Sequence, residues 1–147
     1  MTHSERALEL FHSGANCAQA VFSAYSDKTG LAEDFALRLS APFGGGIGRL
    51  REVCGAVSGM LMVAGLLMAD SDISDNDKKM QNYAMTRELV EEFKSRHGSI
   101  ICRELLGSLA DSSSPKPTPR TDSFYKERPC DAFVSSAAEI LEKALNK

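Results

Sequence analysis

Four cysteines, Cys17, Cys54, Cys102 and Cys130, are the residues of this 147-residue chain best suited to chemistry. As thiolates they would exchange with disulfides or bind soft metals, so their number points to redox chemistry or to a four-thiolate centre. They are spaced 37, 48 and 28 residues apart, with no Cys-x-x-Cys. The close pairs of zinc ribbons, zinc fingers and thioredoxin-type sites are therefore absent. A shared site has to be assembled by the fold. The start of the chain carries Glu5 and Glu9 where a secretory leader is basic and then apolar. That pattern sets the cytoplasm as the expected compartment, where persistent structural disulfides are rare.

The elements that must position these thiols are helices, since the apolar periodicity is helical nearly throughout. Asn16 reads as an N-cap with Gln19 three residues on, which puts Cys17 at the start of a helix to about Tyr25. Cys54 falls near the start of a helix from about Glu52 to Ala69. Ser99 caps a short helix through about Leu106 that contains Cys102, and Pro129 precedes Cys130 at the start of the last helix. All four are thus expected within about one turn of a helix N-terminus, where free N–H groups and the helix dipole lower a thiol pKa. Gly44, Gly45, Gly46 and Gly48, with Arg49, form a loop before Cys54. It fails the dinucleotide pattern G-x-G-x-x-G, and no strand precedes it. Such a loop instead allows a group to approach the backbone closely. Gly55 and Gly59 share one helix face, a smooth stripe that suits close packing within the chain or against a second copy. Cys54 is the expected attacking thiolate, because this stripe leaves room beside it. Arg49 and Arg51 flank its approach.

Composition bounds the rest. Hydrophobic residues make up 43% and charged residues 25%, the balance of one globular domain. A formal charge of −3 without a basic cluster argues against nucleic acid. The longest uncharged stretch, Val53 to Ala69, holds three Gly and is too short to span a bilayer. The expected fold is all-α, a compact single-domain bundle of about six to seven helices over 1–147. The glycine-bearing helix lies at its centre and a flexible connector near 111–120. A helix capped by the Ser74-Asp75-Asn76-Asp77 cluster and continuing to about His97 is expected to carry Met80, Tyr83, Ala84, Val90 and Phe93 on one face, and one near Ala32–Leu39 to present Phe35 and Leu39. His12 is weighed as a base or ligand near Cys17, His3 as solvated, and His97 as a cation at a helix C-terminus.

Cys54-Gly55-Ala56-Val57-Ser58-Gly59 resembles the CGAxxG motif of the redox-active family C_GCAxxG_C_C. Gly14–Val21 is similar to its first cysteine segment and Phe43–Arg49 to its glycine segment. Cys102–Gly107 and Cys130 are similar to its third and fourth cysteine segments. The resemblance runs along nearly the whole chain and implies a redox role for all four cysteines. Three functions follow as expectations. The first is a thiol redox protein exchanging with a thiol or electron-transfer partner. The second is a centre holding zinc or an iron–sulfur cluster through the four cysteines. The third is a helical binding module whose cysteines are incidental; a homodimer is an expected assembly under any of the three.

Overall fold

The computed structural model describes residues 1–147. It is all-α, as expected, with nine helices and one isolated antiparallel bridge, Val53 to Ile101. The first half holds α1 (His3–His12), α2 (Cys17–Ala24), α3 (Ser26–Thr29), α4 (Glu33–Ser40) and α5 (Gly55–Met68). The second holds α6 (Asn76–His97), α7 (Cys102–Leu106), α8 (Asp122–Glu127) and α9 (Cys130–Leu145). Six of the nine have eight residues or more. The short α3 and α8 escape a reading by periodicity because they are too brief to show one. No helix is long and apolar enough to cross a membrane.

Local signals set the boundaries. Thr2 and Glu5 form a capping box on α1, and Asn16 and Gln19 form one on α2. The Asp75 carboxylate accepts from the N–H groups of Asp77 and Lys78 to open α6, and Gly98 closes it in the left-handed conformation. α7 starts later than Ser99 suggests. Ser99 accepts from the Ile101 N–H and donates to Glu104, so the cap itself is Ile101.

The hub of the bundle is α2, which packs on α1, α4, α5 and α9. Ala18, Ala20, Val21, Phe22, Ser23 and Ala24 are all buried. The glycine stripe of α5 is what lets α2 come so close. A Cβ on Gly59 would lie 2.8 Å from the Ala18 carbonyl oxygen and 3.1 Å from Val21 Cβ. The stripe is therefore covered within the chain, which leaves it unavailable to a second copy. Gly65 differs, because a Cβ there meets open space.

One face departs from expectation. On α6 only Leu89 and Phe93 are buried, while Met80 and Tyr83 are each 64% exposed. The first half of α6 extends past the bundle, and periodicity marks an apolar face without saying where its cover ends. On α4 Ala36 and Ser40 are buried, and Phe35 and Leu39 are exposed. α9 buries Phe133, Ala137, Ile140 and Leu141 as its periodicity requires.

Candidate functional site

Each cysteine stands at a helix start. Cys17, Cys102 and Cys130 are the first residues of α2, α7 and α9, and Cys54 is the N-cap of α5. Backbone pairing around the bridge ties two of these starts together. The Cys54 N–H donates to the Ile100 carbonyl at 2.7 Å, and the Cys102 N–H donates to that of Glu52 at 2.6 Å. The loop before them is tightly wound, with Gly45, Gly46, Ile47, Gly48, Arg49 and Arg51 all at positive φ. Gly46 is irreplaceable there, since a Cβ would lie 2.8 Å from Cys102 Cβ and 2.7 Å from the Glu52 nitrogen.

All four cysteines line one cavity of about 320 Å³, together with Gly44, Gly45, Gly46, Gly48 and Arg49. The four cysteines, the four loop glycines and Arg49, all singled out from the sequence, thus converge on one place. None of the cysteines is in a disulfide; Cys17 is half-buried and the others are buried. Sequence reasoning missed Arg120 and Arg128, which also line the cavity. The spacing Arg128-Pro129-Cys130 was the available signal for the second. Arg51 lines it too, and its Nη1 stands 3.8 Å from Cys102 Sγ, so it serves Cys102 and not Cys54.

The segment 111–120 is extended, as its Pro and Ser content suggests, but it is also anchored over the cavity. Arg49 donates to the Ser114 carbonyl at 3.1 Å and to Thr118 Oγ1 at 2.8 Å, and Arg51 Nε donates to the Asp111 carbonyl at 3.0 Å. Arg120 ends the segment. It donates to the carbonyls of Phe11 and Ala15, each at 3.0 Å, and lies over the rings of Phe11 and Phe124 at 4.6 and 4.7 Å. The segment read as a flexible connector is a strap with Pro115, Pro117 and Thr118 facing the cavity.

The thiols are not equivalent. Cys17 and Cys130 are paired: a hydrogen bond to Cys17 lowers the Cys130 pKa, and Arg128, Arg120 and Arg51 lower it further against burial. The same hydrogen bond, followed by burial, raises Cys17 well above the ordinary thiol range. Burial raises Cys102 despite Arg51. Burial also pushes Cys54 from 9.0 up to about 12, although the N–H groups of Ala56 and Val57 act in the lowering direction expected of a helix start. At Cys54 desolvation outweighs the helix terminus, so among the four thiols the one with a lowered pKa is Cys130 and not Cys54.

A thiol held protonated in the fold, but free to ionise when unfolded, withdraws stability as pH rises. Above pH 9.0 the unfolded chain binds fewer protons than the folded one, and this continues to about 12 for Cys54. Each such group then costs roughly 1.4 kcal/mol per pH unit. Cys54→Ala should lose stability less steeply than wild type in urea unfolding between about pH 8 and about pH 10. Parallel curves would show that the Cys54 thiol ionises alike in both states.

As arranged, no three His, Cys, Asp or Glu side chains could hold a metal ion. The histidines lie apart from the cavity. His12 Nε2 pairs with Asp131 Oδ2 at 2.8 Å on an exposed edge. His3 is not solvated: it stacks on Tyr25 at 4.0 Å between ring centroids and reaches Asp27 and Glu142. Burial and then Arg96 lower the pKa of His97, against the cationic role its place at a helix C-terminus suggested.

A family model described as "Putative redox-active protein (C_GCAxxG_C_C)" matches residues 15–144. No curated protein and no solved structure matches the chain. The matched span takes in all four cysteines, the glycine loop and the strap. The chain belongs to the C_GCAxxG_C_C family, and the family's description gives it a redox role.

Proposed function

We propose that the protein is a thiol–disulfide redox protein whose exchanging pair is Cys130 and Cys17. The observation that carries this reading is that Cys17 and Cys130 head α2 and α9 against one cavity lined by Arg51, Arg120 and Arg128, with the Cys130 pKa lowered and that of Cys17 raised. One thiolate and one neighbouring thiol are the two states that exchange requires. The Cys130 thiolate attacks one sulfur of a substrate disulfide, forms a mixed disulfide and expels the other half as a thiolate. Cys17 gives up its proton to that thiolate and attacks Cys130 Sγ, releasing the second half, which solvent protonates. The two cysteines lose two electrons and the substrate disulfide gains them.

Mild oxidation followed by peptide mapping tests the pairing. The expected product is a Cys17–Cys130 disulfide with Cys54 and Cys102 still free. A disulfide made chiefly from Cys54 or Cys102 would move the reaction to another pair.

A second reading, a four-thiolate zinc or iron–sulfur centre, draws support from the convergence of all four cysteines and several arginines on one cavity. A cluster with four thiolate ligands carries negative charge that such a surround would offset. The absence of any three-ligand set closed on one ion weighs against a zinc site. Elemental analysis of anaerobically purified, untagged protein separates the readings. Stoichiometric iron would replace the thiol-pair reading, and four titratable thiols without metal would support it. The same convergence argues against a binding module with incidental cysteines.

A further inference from the structure

The cavity's charge identifies what it takes. Arg49, Arg51, Arg120 and Arg128 line it, and no Asp, Glu, Lys or His does. The chain as a whole carries a formal charge of −3, so this positive pocket is a local construction. Arg51 is its least ordinary member, being only 3% exposed. Its Nε is used by the Asp111 carbonyl and its Nη1 faces Cys102 Sγ, while its Nη2 is buried with no partner. An unpartnered charged donor in an interior is costly, and a guanidinium fork fits a carboxylate or a similar planar or tetrahedral anion. Gly45 and Gly46 line the same cavity, and their N–H groups donate to no carbonyl.

We propose that this cavity is an anion-binding site, and that the substrate of the Cys17–Cys130 pair is a small anionic thiol or disulfide whose carboxylate or sulfonate is received by Arg51. The inference rests on the thiol-pair reading and deepens it. The volume of about 320 Å³ is at the small end of ligand sites, and the 111–120 strap lies across it. A small molecule enters such a space, whereas a protein disulfide would have to displace the strap and break its bonds to Arg49 and Arg51.

Two reagents of nearly the same size test this. Iodoacetate is an anion and iodoacetamide is neutral; with either, the thiolate sulfur bonds the methylene carbon and iodide leaves. The ratio of their rates at Cys130, read by peptide mapping of the reduced protein, cancels the thiolate fraction and leaves the preference for charge. Relative to a cysteine-containing peptide, the ratio should favour iodoacetate by about tenfold or more, the scale of one charge-assisted hydrogen bond. Arg51→Gln should bring it to within about threefold of the peptide. Should that variant fail to fold, Arg49→Gln is read the same way and should lose part of the preference. A wild-type ratio equal to the peptide's, or a preference unchanged in the folded arginine variants, overturns the anion site and leaves the thiol pair standing. Resistance of Cys130 to both reagents overturns the thiol-pair reading and this inference with it.

Discussion

Cys130→Ser should lower the rate of thiol–disulfide exchange by about a hundredfold or more, because serine supplies no nucleophile of thiolate strength at neutral pH. The other cysteines do not replace it. Burial raises the pKa of both Cys54 and Cys102, so neither holds much thiolate. Cys17→Ser should behave differently: the first attack proceeds, and the mixed disulfide on Cys130 accumulates because nothing resolves it. Single-turnover kinetics with an aromatic disulfide, followed by mass analysis of the intact protein, separates the two. The wild-type rate should already be substantial below the ordinary thiol pKa, since the Cys17 hydrogen bond and the arginines lower that of Cys130. Wild-type kinetics in Cys130→Ser would end the assignment. A comparable loss in Cys54→Ser alone, with Cys130→Ser active, would return the attack to Cys54.

The second large effect is on stability. Gly46→Ala places a Cβ 2.7 Å from the Glu52 nitrogen and 2.8 Å from both Arg51 Cα and Cys102 Cβ, at φ +70°. Two of these three atoms are backbone and none is the far end of a flexible side chain. The left-handed conformation adds about 1–2 kcal/mol and the crowding about 1–3 kcal/mol, so a loss of roughly 2–5 kcal/mol is expected. The clash falls on Arg51 and Cys102, so Cys130 reactivity should change as well. Gly65→Ala is the matched control: it sits in α5 with open space around its Cβ position and should gain about 0.5–1 kcal/mol. Urea unfolding of the three proteins measures both. A Gly46→Ala loss below about 0.5 kcal/mol would mean that the loop yields and does not hold the site rigidly.

The amino-acid sequence by itself determined the helical class and the placing of all four cysteines at helix starts. Those features are local: the Asn16–Gln19 capping box, the Gly98 stop and Pro129 before Cys130 act within a turn of the residues they affect. It also marked the glycine loop and the α5 stripe, because several glycines in so short a span of a folded chain need a packing reason. Only the tertiary structure decided which thiol has its pKa lowered and which have theirs raised. That depends on Arg51, Arg120 and Cys17 reaching Cys130 from distant parts of the chain, and on how deeply Cys54 is buried. Desolvation and through-space charge have no sequence spacing. For the same reason, a helix-start argument that treated four cysteines alike could not separate them. Tertiary structure likewise turned the 111–120 segment from a connector into a strap, through bonds from Arg49 and Arg51 far upstream. It also left Met80 and Tyr83 in solvent, since periodicity shows a helix's apolar face but only packing determines how far along it the cover extends.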